Sequence, residues 1–345
     1  MTTATNLRKV PLARRFMTFT WGVIGIVIVT LVVFAFVQPS ILVDTLVTGG
    51  MWALMAGGLA LVFGVMNIPN FAHGELFMIG SFVAFLVFSP IQKAILGDPT
   101  ATALQVVGPI PGMIIAALVG FLVGVILELL LFQPLRKRNR EGWVMNSFLL
   151  TAGLSVILIN GYRLLFGNDY HGFPRYWDVH PLSFFGVSVS VDRAMVFVIA
   201  MSMILLFSVF LQRTRTGRAM RAVAQDETGA QMAGINLNRI FMLTLGLSSG
   251  LAALAGAALL SIYPSSPDVG LQPLYLAWYV VILAGLGNVP GAIAGAFIVS
   301  LLQTLSVYYV GLGWVDVLPT AIIILILLFK PSGLFGSEVK GVWEQ

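Results

Sequence analysis

Residues 41–66 read ILVDTLVTGGMWALMAGGLALVFGVM, and residues 67–75, NIPNFAHGE, follow at once. The first run is apolar over more than the roughly 20 residues an α-helix needs to cross a hydrocarbon layer about 30 Å thick. The second interrupts it with two asparagines, a proline, a histidine, a glycine and a glutamate, none of which favours insertion into lipid. Long apolar runs punctuated by short polar breaks decide the fold class.

The whole chain conforms to that pattern. Of its 345 residues 58% are hydrophobic and 10% charged, with a mean hydropathy of +0.96, against about 25% charged in ordinary soluble domains. Apolar windows near 19–37, 41–66, 76–88, 109–132, 144–166, 194–211, 240–262, 273–287, 291–310 and 315–330 predict an all-α polytopic integral membrane protein. About ten transmembrane helices are expected, some broken or re-entrant, because the windows at 76–88 and 273–287 are short for a straight span. The windows form a single transmembrane domain over 1–345, with an N-terminal segment 1–18, a long loop 167–193 and a polar loop 212–239. The run 19–37 is too long for a signal-peptide core and ends in Gln38-Pro39-Ser40 without a cleavage site, so it reads as a retained first span.

The pI near 9.6 is accounted for by clustering. Arg8, Lys9, Arg14 and Arg15; Arg136, Lys137, Arg138 and Arg140; Arg213, Arg215, Arg218, Arg221 and Arg239; and Lys330 with Lys340 together hold 15 of the 19 basic residues. Such loop patches are what the positive-inside rule produces, and ten spans put all four on the cytoplasmic side with both termini. Nucleic acid is not needed to explain the charge. The absence of cysteine excludes disulfides and thiolate chemistry.

Two breaks carry the functional signal. In the first, Pro69 removes a backbone donor and Gly74 loosens the helix, while His73 and Glu75 are ionisable groups near membrane depth. One reading is a gate or lining of a solute path; the other is a turn at the membrane face, with Asn70 capping the next helix and Glu75 at its positive end. The second break, Gly285-Leu286-Gly287-Asn288-Val289-Pro290-Gly291, resembles it and suggests an internal repeat. Its glycines serve equally as a pore element or a packing face. Asp44, Glu128 and Asp316 lie near helix ends and are expected to snorkel.

The loop 167–193 carries Tyr170, His171, Phe173, Tyr176, Trp177 and His180, as an outer lid, a docking surface or an aromatic belt. The loop 212–239 reads as a short amphipathic helix stopped at Gly234, with Ala219, Val223 and Met232 facing a partner and Asp226 and Glu227 offering charge. A helix lying on anionic headgroups would show the same arginines. No GxxxxGK[ST] or HExxH run occurs, so ATP hydrolysis has no foothold here.

Four motifs carry a resemblance: Ile68–Glu75; Arg213–Ala222 with Ala233–Asn236; Gly285–Gly295; and the terminal KPSGLFG, Lys330–Gly336. Together they resemble the LivH-type permease of branched-chain amino acid ATP-binding-cassette importers, a family that also includes urea and short-chain amide permeases. Pro69 stands where that family more often has an aliphatic residue. The resemblance implies a bacterial inner-membrane permease subunit working by alternating access. It implies a second, LivM-type permease, two cytoplasmic ATPases that use ATP and magnesium, and a periplasmic solute-binding protein. This chain itself would bind no cofactor or metal and catalyse nothing; besides its protein partners it would contact membrane lipid. On that reading Asn67, Asn70, His73, Glu75, Gly285, Gly287, Asn288 and Pro290 line or gate the path. Arg218, Arg221, Asp226, Glu227 and Gly234 belong to the segment that couples to an ATPase. An ion-coupled carrier or a channel is the alternative from another class.

Overall fold

The computed structural model describes residues 12–97, 107–138, 142–173, 175–177, 181–184 and 187–336. Arg8, Lys9, Arg140, His180 and Lys340 lie outside them. The described helices are α1 (Leu12–Val37), α2 (Pro39–Met66), α3 (His73–Gly97), α4 (Pro109–Arg138) and α5 (Trp143–Phe166). They continue with α6 (Val191–Arg213), α7 (Arg215–Gln225), α8 (Glu227–Met232), α9 (Leu237–Leu259), α10 (Leu271–Ala284), α11 (Val289–Tyr309) and α12 (Val317–Phe329). Among the described residues, eight helices are long and apolar enough to span a membrane, with two shorter apolar ones at 22–37 and 271–284. The expected ten apolar segments are present. The first helix begins at Leu12, inside the segment read as preceding it.

α2 and α9 form the enclosed centre, while α5 and α12 lie at the periphery. Small residues bring the central helices together, as expected where lipid gives no hydrophobic drive for helix association. A side chain on Gly80 would overlap the backbone of Ala253, and one on Gly256 the Phe77 carbonyl. Gly120 and Gly124 of α4 abut Ser249 in the same way. Buried hydroxyls then bond to backbone: Ser248 Oγ donates to the Gly58 carbonyl at 2.8 Å and Ser300 Oγ to that of Thr45 at 2.9 Å.

α3 does not start where α2 stops. His73, its first residue, has Nε2 3.1 Å from the Met55 carbonyl, and its ring lies beside Gly58. Those residues precede Met66, the end of α2, by 11 and 8 positions, about 12–17 Å along the helix. The six residues 67–72 bridge that interval, since an extended chain covers about 3.3 Å per residue. Ser155, which bonds Glu75, lies twelve residues into the 24-residue α5, about 18 Å from its start. Both rulers put the N-terminus of α3 at half depth. α10 begins there too: Gly270, which precedes it, packs against Gly74 backbone to backbone. With 14 residues it is about 21 Å long, too short to cross a hydrocarbon layer about 30 Å thick.

One end of the bundle collects the basic patches. Arg136 Nη2 donates to Asn238 Oδ1 at 3.1 Å, Arg213 and Arg221 share a cavity with Gly64 and Gly287, and the terminal motif folds onto the end of α10. There Leu334 and Phe335 donate backbone bonds to the Leu283 and Ala284 carbonyls at 2.7 and 3.0 Å, covering acceptors the helix leaves open.

Four expectations need correction. α3 is not short: Pro90 lies inside it and the helix continues to Gly97. Glu128 does not snorkel; it is 1% exposed, lies in a π-helical turn, Glu128–Phe132, and pairs with Arg136 at 2.8 Å. Isolated in lipid the carboxylate would cost several kcal/mol, so the ion pair replaces a route to the interface. The loop after α5 does not lie wholly at the surface: Tyr170 is exposed, but other aromatic residues pack inward. Phe173, Tyr176 and Trp177 are buried, with Phe173 against Phe85 and Phe88, and Asp192 Oδ1 accepts from the Tyr176 amide at 2.7 Å. Burial, and then the Asp192 carboxylate, push the Tyr176 phenol up; its hydroxyl donates to the Ala257 carbonyl at 3.0 Å. Finally, Val223 packs inward, and the polar loop holds two helices in place of one. Residues 182–184 and 187–189 add a small antiparallel hairpin to the otherwise helical chain.

Candidate functional site

The first break is built as a descent and a return. Asn67 ends α2 in the left-handed region, φ 59°, a conformation asparagine tolerates better than most residues, and it is exposed. Asn70 is buried, and its Oδ1 accepts from the Ala72 amide at 3.1 Å, shaping the turn into α3. Phe71 stacks on Trp278 of α10 with centroids 5.3 Å apart and meets Phe148 of α5 edge-on at 5.0 Å. The return segment is thus clamped between α5 and α10.

At half depth two helix N-termini meet, those of α3 and α10, in contact through Gly74 and Gly270. Each contributes the positive end of a helix dipole. His73 and Glu75 lie on this shelf, fully buried. They point different ways: His73 to α2, Glu75 to α5, where Ser155 Oγ donates to its Oε1 at 2.7 Å. Glu75 Oε2 and His73 Nδ1 have no hydrogen-bond partner among the described residues. The half-helix ends, the cost of buried ionisable groups and the free acceptors together mark a polar centre in the membrane.

α5 is held to this centre by a line of polar contacts. Thr151 Oγ1 reaches the Pro69 carbonyl at 3.4 Å, Ser155 bonds Glu75, Tyr162 Oη lies 3.5 Å from Ser265 Oγ, and Arg163 bonds Asp268 at 2.8 Å. Apart from Pro69 and Glu75 these residues escaped the sequence reading. Their spacing on α5 is helical, but their partners are about 80 to 105 positions away.

The second break lies at the basic end, one length of α10 from the first. Gly285 and Gly287 have φ of 101° and 79°, where only glycine is unstrained. Gly287 packs backbone to backbone on Gly64 of α2. Asn288 caps α11, accepting from the Gly291 amide at 2.9 Å, and donates to the Phe335 carbonyl at 2.8 Å. Pro290 is exposed in the first turn of α11. A cavity of about 500 Å3 opens beside them between α2, α6, α7 and α11. The breaks therefore have different geometry: one returns the chain to half depth, the other turns it tightly into a full span.

The polar segment hangs from this end. Thr214 caps α7, accepting from the Gly217 amide at 3.0 Å, and Asp226 caps α8, accepting from Gly229 at 3.0 Å. Gly234 takes the expected left-handed turn, φ 85°, and Asn236 starts α9. Gly217, Met220, Val223 and Ala230 face the bundle. Arg218, Asp226, Glu227 and Met232 face outward, Met232 being 84% exposed, while Arg221 is exposed at the edge of the cavity it lines.

Spanning helices around a mid-depth centre, with an outward polar segment at the basic end, define an integral membrane transport permease. The chain belongs to the family described as branched-chain amino acid transport system / permease component, which it matches over residues 41–327. It is 31% identical to the high-affinity branched-chain amino acid transport system permease protein LivH of Escherichia coli K12, covering 85% of this chain and 94% of that one. The corresponding BraD protein of Pseudomonas aeruginosa is 30% identical, covering 87% and 97%. A LivM branched-chain amino acid transport permease of Methanocaldococcus jannaschii is 26% identical, covering 84% and 91%. No solved structure gives a significant match.

Proposed function

We propose that this chain forms one half of the translocation path of an ATP-driven importer of branched-chain amino acids. Its companion is a second permease of related sequence; two ATPases and an extracytoplasmic binding protein complete the assembly. It lies in the bacterial inner membrane with its basic end and both termini in the cytoplasm, as the collected arginine patches favour. The observation that carries the reading is the junction of α3 and α10 at half depth, which supplies a polar centre where a solute must shed its water. The outward face of α10, with Tyr275 and Ile282 exposed, suits an aliphatic side chain beside that centre. The exposed polar face of α7 and α8 is the surface on which an ATPase pulls. Its load passes through the buried side of α7 to the Gly64 and Gly287 contact, the inner gate.

The test is reconstitution of the chain with its companion permease and ATPases in proteoliposomes, with binding protein and labelled leucine supplied outside. ATP inside drives accumulation that unlabelled isoleucine competes and urea or acetamide does not. Uptake by this chain alone on an ion gradient would sink the reading. Competition by urea alone would move it to amides.

A further inference from the structure

The cavity at the basic end has a directional chemistry. Ala60, Leu61 and Val65 of α2 and Ile293 of α11 make its walls, Arg213 and Arg221 stand at its polar side, and none of its lining residues is acidic. Among the described residues neither arginine pairs with a carboxylate; Arg221 reaches only the Gln212 carbonyl, at 3.5 Å. One turn along α6 from Ser208, which lines the cavity, Leu205 is 65% exposed, so an apolar track leads away from the arginines along that face. Two guanidinium groups at a membrane boundary, continuous with an apolar track, are complementary to an anionic head joined to a hydrocarbon tail. A zwitterionic amino acid offers neither the net charge nor the length.

We propose that this groove holds one anionic phospholipid, its phosphate between Arg213 and Arg221 and one acyl chain between α6 and α11. Its assignment to the inner leaflet rests on the orientation given above. Because the groove is bounded by Gly64 and Gly287, the chain lies against the inner gate and makes gate motion sensitive to the charge of the surrounding lipid.

Native mass spectrometry of the purified full chain, and of the assembled transporter, measures this in detergent. The probes are palmitoyl-oleoyl phosphatidylglycerol, the matching phosphatidylcholine and glycerol phosphate. We expect one phosphatidylglycerol per copy of the chain in both preparations, preferred at least about tenfold over phosphatidylcholine. Removing both charges (Arg213→Gln with Arg221→Gln) weakens it by roughly thirtyfold, near a factor of five per arginine. Ser208→Phe keeps both arginines but fills the track, and it displaces the lipid as well; this variant decides the matter if the charge variant fails to assemble. Four outcomes overturn the proposal: equal binding of the two lipids, competition by glycerol phosphate as strong as by the lipid, full retention in Ser208→Phe, or expulsion of lipid when the ATPases assemble. Since a micelle has no leaflets, binding is read independently of orientation. Protease access to Arg215 from outside intact cells would overturn the orientation alone.

Discussion

Gly74→Ala places one methyl group where the N-terminal ends of α3 and α10 touch. The added carbon would lie 2.5 Å from the Gly270 carbonyl oxygen and 3.1 Å from Leu274 Cβ. Ordinary contact begins near 3.4 Å, so the two helix starts must part by close to 1 Å. The obstructing atom is backbone at the first turn of α10, and no rotamer change relieves it. Overpacking of this kind costs about 1–3 kcal/mol, a shift of about five- to 150-fold in any equilibrium between this arrangement and a parted one. The matched control is Gly153→Ala on α5, where nothing lies within 4 Å of the new carbon. We expect Gly74→Ala to lower the thermal midpoint of the purified protein by several degrees and leucine uptake by at least about fivefold, with Gly153→Ala near wild type in both. Equal behaviour of the two variants would refute the close junction and the half-depth placement that depends on it.

Other consequences follow from the same geometry. Arg136→Met leaves Glu128 buried and unpaired and costs about 3–5 kcal/mol, whereas Glu128→Leu with Arg136→Met recovers most of that loss; thermal unfolding of the single and double variants reads the difference. Ser155→Ala removes the donor to Glu75 and, at about 1 kcal/mol, loosens α5, giving faster hydrogen exchange near 151–158 with the fold intact. Arg218→Glu with Met232→Ser changes only outward side chains, so the protein stays as stable as wild type but loses most of its association with the ATPases in pull-down. Tyr176→Phe strands the Ala257 carbonyl and lowers stability by about 1–2 kcal/mol, without changing substrate preference in uptake competition.

The span pattern was legible because lipid imposes one simple demand, length of apolar helix, and windows such as 41–66 meet it plainly. The stop at Gly234 was legible for a local reason, whereas Asn288 and Asp226, read for a gate and for charge, also cap helices by accepting from amides three residues on. Depth was not. Residues 67–75 have the composition of a surface turn and a mid-membrane break alike, and only the contact of His73 with Met55, eighteen positions upstream, separates the two. Asn70 shows how both readings of that stretch hold in part, since it shapes a turn as a cap does while that turn lies inside the membrane. Glu128 was misread because its partner, eight residues on, comes within reach through a π-helical turn that periodicity does not announce. The loop aromatics were misread because composition places Tyr and Trp at an interface, and here Phe85 and Phe88 of the unexpectedly long α3 draw the loop inward. The assignment of the breaks to the path, and of the polar segment to an ATPase, is a proposal that awaits function.

The central claim is that the half-depth junction belongs to the transport path and opens in step with ATP use. The chain contains no cysteine, so a single Ser155→Cys beside Glu75 can be followed without background. In the assembled transporter a small, charged thiol reagent should label this position in one nucleotide state and be excluded in another, with leucine protecting it. Labelling at the same rate in every nucleotide state, unaffected by leucine, would contradict the account.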